Sequence, residues 1–167
     1  TLVIKNGIHL EAEMGPVVTA AAHKRITDYI GIGVAEGAKL LVDGRQFTGD
    51  HVGEGCSQGF WMGGTLFDEV TPDMQIYQEE IFGPILPVLA YDKLDDAISF
   101  INARPRPLAL YWFGLDTAAR DQVLARTVSG GVTVNDTLMH IAHPNLPFGG
   151  VGESGWGAYH GETGFLR

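Results

Sequence analysis

Several short stretches of this chain carry residue types at spacings that could do chemistry. Gly150-Val151-Gly152-Glu153-Ser154-Gly155 satisfies G-x-G-x-x-G, the spacing at which glycines let backbone amides close on a pyrophosphate. Such a turn must follow a strand, open a helix and be followed, roughly 20 residues on, by an acidic side chain for the ribose. Here Pro144, Asn145 and Pro147 come before the glycines and no helical run comes after them, so the stretch reads as a loop whose backbone packs close to other structure. The serine-hydrolase elbow G-x-S-x-G fails around Ser154, because Trp156 stands where the second glycine belongs. His140 and His143 in HIAHP have no carboxylate or cysteine at ligand spacing, which predicts loop histidines and no metal. Cys56, in GEGCSQG, offers an accessible thiol, but nothing in the sequence supplies its base. Glu79 and Glu80, just before an apolar run in QEEIFGP, read on spacing alone as a solvated acidic pair.

The elements that must position these groups follow from periodicity. Thr19 is an N-cap for a helix over residues 19–31, with Ile26, Ile30 and Val34 at helical spacing, and KLLVDG follows as a strand. FTGDHVGEGCSQG is loop, FWMGGTLF is extended, and PILPVLAYD is a β-rich run that Pro87 makes awkward as a central strand. Asp92 is placed to cap a helix over 93–103 with Leu94, Ala97, Ile98 and Ile101 on one face. LALYWFG is a strand, DTAARDQVLARTV is a helix around residues 117–127 with Leu124 and Val128 inward, and GGVTVND is a strand. Alternating apolar strands and helices predict an α/β fold, a mostly parallel sheet with helices on both faces, in which strands near 39–42, 108–113 and 132–135 share one sheet.

Composition narrows the partners. A chain of 167 residues, 45% of them hydrophobic, can bury one sizeable core, and one domain is the expectation. Twenty acidic against eleven basic residues give a formal charge of -9, the wrong sign for nucleic acid or an anionic membrane. No apolar run reaches the roughly 18 residues that cross a bilayer, and TLVIKNGIHLEAEMG lacks the order of a signal peptide. A single cysteine agrees with a cytoplasmic location.

YQEEIFGPILPVL, PLALYWFG, SGGVTVND and LPFGGVGESGWGAYHG, in this order and spacing, closely resemble the C-terminal part of the catalytic domain of NAD(P)-dependent aldehyde dehydrogenases. EMGPVVTAAAHKRITDYI and AEGAKLLVDGR resemble the segment that follows the catalytic cysteine in that family, so the likeness covers nearly the whole chain. Residues 10–90 look most like methylmalonate-semialdehyde dehydrogenase. From Tyr91 onward the chain looks more like coniferyl aldehyde dehydrogenase and the class 3 enzymes, which suggests a hybrid coding sequence. The resemblance implies that Glu80 holds the nicotinamide-ribose hydroxyls and that Phe82 packs beside the nicotinamide. It also implies that Leu138, Ile141, Phe148 and His160 line the aldehyde pocket, and that the glycine-rich tail is a packing loop beneath the site.

In that family a cysteine thiolate attacks the aldehyde, hydride passes to NAD(P)+ and a glutamate activates water. The resemblance places the cysteine motif, the glutamate and the nucleotide-binding domain before Thr1, and it aligns Cys56 with a loop far from the nucleophile. No catalytic residue is therefore expected within residues 1–167, which read as a partial catalytic domain, a fragment or remnant inactive alone. The family's NAD or NADP is not expected to bind tightly to this chain. The alternative is a non-catalytic oligomerising module. Expected partners are a second copy of the chain or a full-length homologue.

Overall fold

Thr19 starts the first helix as its spacing predicts. Its hydroxyl accepts from the Ala22 N–H at 3.1 Å, and α1 then runs Ala20–Ala35. In this computed structural model, which describes residues 2–166, the chain forms two compact units divided after Ala90. None of the helices among the described residues is long and apolar enough to cross a membrane.

The first unit packs α1 against a three-stranded sheet of β1 (Lys39–Val42), β2 (Thr65–Asp68) and β3 (Ile85–Pro87), in the order β1-β2-β3. Ile26 and Ile30 of α1 are fully buried with Met62, Phe67 of β2 and Ile76 of the short α2 (Gln75–Gln78). Each side chain so removed from water contributes about 1.5–3 kcal/mol. Val34, at the same spacing, is 46% exposed, and it is the neighbouring Gly33 that is buried in the last turn, against Phe67 and Ile76. β2 and β3 are parallel, with Thr65 opposite Ile85, and α2 lies in the crossover between them. β3 is an edge strand, which tolerates the missing N–H of Pro87.

The second unit holds α3 (Leu94–Asn102), β4 (Ala109–Trp112), α4 (Thr117–Arg126), β5 (Gly131–Val134) and the short α5 (Met139–Ala142) and α6 (Gly161–Phe165). β4, α4 and β5 form a parallel β-α-β crossover in which Tyr111 lies opposite Thr133. Asp116 caps α4 by accepting from the Ala119 N–H at 2.9 Å.

The chain is thus α/β, with two of its three strand pairings parallel. The expectation of one shared sheet is corrected: residues 39–42 lie in the three-stranded sheet, whereas the two later strands form a sheet of their own. β1 is also antiparallel to β2, and the connection between them is loop and 3-10 turn without a crossover helix. Two helix details differ as well. The N-cap of α3 is Lys93 rather than Asp92, without a side-chain cap bond, and Asp95 and Asp96 supply the negative charge its first turn favours. In α4 the inward residue is Val123, 5% exposed, while Leu124 is turned a further 100° around the helix and Val128 lies past its end.

The glycine-rich tail is a packing loop. A single 3-10 turn spans Gly152–Ser154, the next helix begins only at Gly161, and a methyl at Gly150 would come within 2.2 Å of the Ser154 carbonyl oxygen. The absence of a Cβ lets two backbone segments touch there; it does not open a phosphate cradle.

Candidate functional site

Glu80 and Phe82 lie on the segment between α2 and β3, and the way that segment is held decides where they point. Tyr29 of α1 donates its hydroxyl to the Glu79 carboxylate, and the Arg25 guanidinium donates to the Ile81 carbonyl. Glu79 also accepts from the Gln75 Nε2 at 3.0 Å, and the hydrogen bond from Tyr29 is the main reason that phenol's pKa is raised above its ordinary value. Ile81 is buried in the core of this unit. With 79 and 81 tied to the body of the unit, 80 and 82 face outward. Glu80 makes no hydrogen bond or ion pair among the described residues. Spacing alone could not separate the two glutamates, and it read both as solvated. The structure engages Glu79 and leaves the Glu80 carboxylate free to accept from the vicinal hydroxyls of a ribose.

The Phe82 ring is 75% exposed and its backbone is left-handed, with φ 51°. An L residue in that region is disfavoured by about 1–2 kcal/mol, and such strain gathers at functional sites. The other non-glycine residues with positive φ among those described are Glu69, Asn135, Leu138 and His160. Three of the six candidate site residues are therefore strained. Phe82→Gly is expected to leave folding stability unchanged or raise it by up to about 1 kcal/mol, since glycine relieves φ but adds unfolded-state entropy. Urea unfolding measures this. A loss above about 1 kcal/mol would mean that the ring packs and the backbone is not strained.

In the second unit, Leu138 precedes α5 with φ 61° and is 60% exposed, while Ile141 lies on α5 and is half-buried. Phe148 pairs with Tyr159 through an isolated bridge, and its ring stacks on that of His160, with centroids 6.1 Å apart. The Tyr159 ring meets His160 edge-on at 4.6 Å. His160 has φ 90°, and its Nδ1 is buried with no hydrogen-bond partner among the described residues. Phe148 and His160 are thus in contact, and of the segment that carries Leu138 and Ile141 it is the His140 ring that lies beside Phe148, with centroids 5.8 Å apart.

His140 corrects the reading of HIAHP as loop. It lies on α5, is 9% exposed, and its Nδ1 is 2.9 Å from the Thr133 Oγ1. The sequence signal for it was Thr133, a polar residue on the inward face of a short strand. His143 is exposed and accepts from the Asn145 N–H at 3.3 Å. Cys56 is half-buried in a turn, its carbonyl accepts from the Trp61 Nε1 at 2.8 Å, and among the described residues no base is bonded to its thiol.

A profile of the aldehyde dehydrogenase family matches residues 1–167, and the chain belongs to that family. A Caulobacter vibrioides protein assigned as a coniferyl aldehyde dehydrogenase is 48% identical over 89% of this chain and 30% of its own length. The dimeric NADP-preferring aldehyde dehydrogenase of Mus musculus is 45% identical over 75% of this chain and 27% of its own. A solved structure from Sinorhizobium meliloti 1021, assigned as a methylmalonate-semialdehyde dehydrogenase and complexed with NAD, matches with a TM-score of 0.85 at 36% identity, over 99% of this chain and 33% of that one. Both branches that the sequence resembles are therefore among its relatives. The chain spans about a third of the length of the proteins it matches.

Proposed function

We propose that residues 1–167 form part of the catalytic domain of an NAD(P)-dependent aldehyde dehydrogenase, which oxidises an aldehyde to an acid or acyl-coenzyme A. Glu80 holds the nicotinamide-ribose hydroxyls, and Phe82 covers one side of the nicotinamide. Leu138, Ile141, Phe148 and His160 line the aldehyde pocket. The observation that carries this reading is the placement of Glu80 and Phe82: one carboxylate without a partner among the described residues and one strained, exposed ring, on a segment that Tyr29 and Arg25 fix in place.

The bound cofactor supplies the hydride acceptor. This chain's own residues orient the ribose, shield the ring and shape an apolar wall for the aldehyde. The thiolate, the base and the phosphate-binding surface come from residues other than these, so the chain alone neither turns over aldehyde nor holds NAD(P) tightly. We place it in the cytoplasm, in association with a second copy or a full-length homologue. A non-catalytic oligomerising module is the second reading, favoured by the full exposure of Leu10 and Trp156 and the near-full exposure of Leu115 and Phe165.

A chimera tests the first reading. This chain replaces the matching 30% of the Caulobacter vibrioides protein described above, which aligns with 89% of the chain. The chimera is expected to oxidise aldehydes with NAD(P)+. Glu80→Gln within it is expected to raise KM for the cofactor about 10- to 100-fold, the value of a hydrogen bond to a charged group, with KM for aldehyde unchanged. A folded chimera without activity, or equal cofactor KM in both forms, would count against the assignment.

A further inference from the structure

Gly131 and Thr133 lie two residues apart on β5 and so share one face of the strand, with Tyr111 of β4 beside Thr133. His140 rests on that face. A methyl at Gly131 would come within 2.5 Å of the His140 Cδ2, so glycine there gives the imidazole its place. Thr133 and His140 are both more than nine-tenths buried. The Thr133 Oγ1 accepts from the His140 backbone N–H at 3.3 Å and lies 2.9 Å from its Nδ1. A hydroxyl carries one proton and two lone pairs, and Nδ1 is the acceptor that this proton has among the described residues. Thr133 therefore donates to Nδ1, and the neutral imidazole keeps its own proton on Nε2.

From this fixed position the His140 ring touches Tyr111 and Phe148, each with centroids 5.8 Å away, and Phe148 in turn stacks on His160. Leu138 and Ile141 flank His140 in the chain. The geometry points to His140 as a positioning residue: locked by the Thr133 hydroxyl, it sets α5 and the Phe148 ring so that Leu138, Ile141, Phe148 and His160 form one wall. That this wall meets an aldehyde rests on the reading above; that His140 arranges it does not. A core histidine that only fills space needs its ring but not the hydroxyl beneath it. A positioning histidine needs both.

Nuclear magnetic resonance on the 167-residue chain separates these. Long-range proton–nitrogen correlation is expected to show the Nε2–H tautomer at His140 in the parent chain, a measurement that needs no variant. In Thr133→Val the tautomer preference is expected to be lost, and the Leu138 and Ile141 methyl and Phe148 ring resonances to shift. Thr133→Ser, which keeps the hydroxyl, is expected to restore them, while the Ile26 and Ile30 methyls stay in place throughout. An Nδ1–H tautomer in the parent, or unmoved wall resonances in Thr133→Val, would overturn the proposal. Benzaldehyde added to the parent then tests the pocket separately: unmoved wall resonances there would count against the aldehyde reading and leave the role of His140 standing.

Discussion

Phe67→Ala is expected to destabilise the first unit by about 3–5 kcal/mol, read as a lower midpoint in urea unfolding. Phe67 is fully buried on the central strand β2, in one cluster with Ile26, Ile30 and Ile76, so truncation leaves a cavity that α1 cannot fill without shifting. A domain's whole margin is about 5–15 kcal/mol, so the loss is a large part of it. The effect reaches the candidate site through α1, whose Arg25 and Tyr29 hold the segment bearing Glu80 and Phe82. Leu41→Ala, at a half-exposed position, is the control and is expected to cost within about 0.5 kcal/mol. Similar midpoints for the two variants would mean that the core does not rest on Phe67.

The elements were legible where spacing and burial coincide. Ile26 and Ile30 face the core as their period requires, and Thr19 caps the helix that follows it, whereas Asp92 does not. What was not legible depends on tertiary partners. Periodicity cannot tell that β1 returns antiparallel, because the 43–64 connection carries no signal for the direction of its end. It also cannot choose between Val123 and Leu124, adjacent apolar residues on a helix of which only one meets the core. The site divides in the same way. Glu80 and Phe82 came from a resemblance, and the reason they face outward lies in Tyr29 and Arg25, some fifty residues earlier. The left-handed backbone at Phe82, Leu138 and His160 has no sequence signal at all, since that conformation favours glycine or asparagine. His140 was hidden because no ligand or partner stands at a telling spacing from it in the sequence, whereas its burial is set by Gly131 and Thr133 on a strand closed before it in the chain.

The largest expected effect is a loss. The purified chain is expected to form no NADH or NADPH from propanal, benzaldehyde or coniferaldehyde, with or without coenzyme A, and Cys56→Ser is expected to change nothing. Aldehyde oxidation by this family's chemistry needs a thiolate in reach of the carbonyl, a base and a held cofactor acting together, and losing the covalent step removes most of an acceleration of roughly a million-fold or more. Cys56 is the chain's one cysteine, and it is placed to close a turn: its carbonyl takes the Trp61 indole, and among the described residues no imidazole or carboxylate is bonded to its thiol. Binding should fail alongside. Glu80 and Phe82 offer a ribose contact and an aromatic face without a phosphate cradle, so titration of the chain with NAD+ should show no saturation in the micromolar range, about -8 kcal/mol. The chimera supplies the contrast, because the same Glu80 is expected to govern cofactor KM once a nucleotide-binding surface is present. Steady NADH formation by the chain alone, abolished by Cys56→Ser, would make Cys56 a nucleophile and these residues a complete enzyme. NADH formation that persists in Cys56→Ser would instead require chemistry without a thiolate, and would overturn the division of labour proposed for Glu80, Phe82 and the wall around His160.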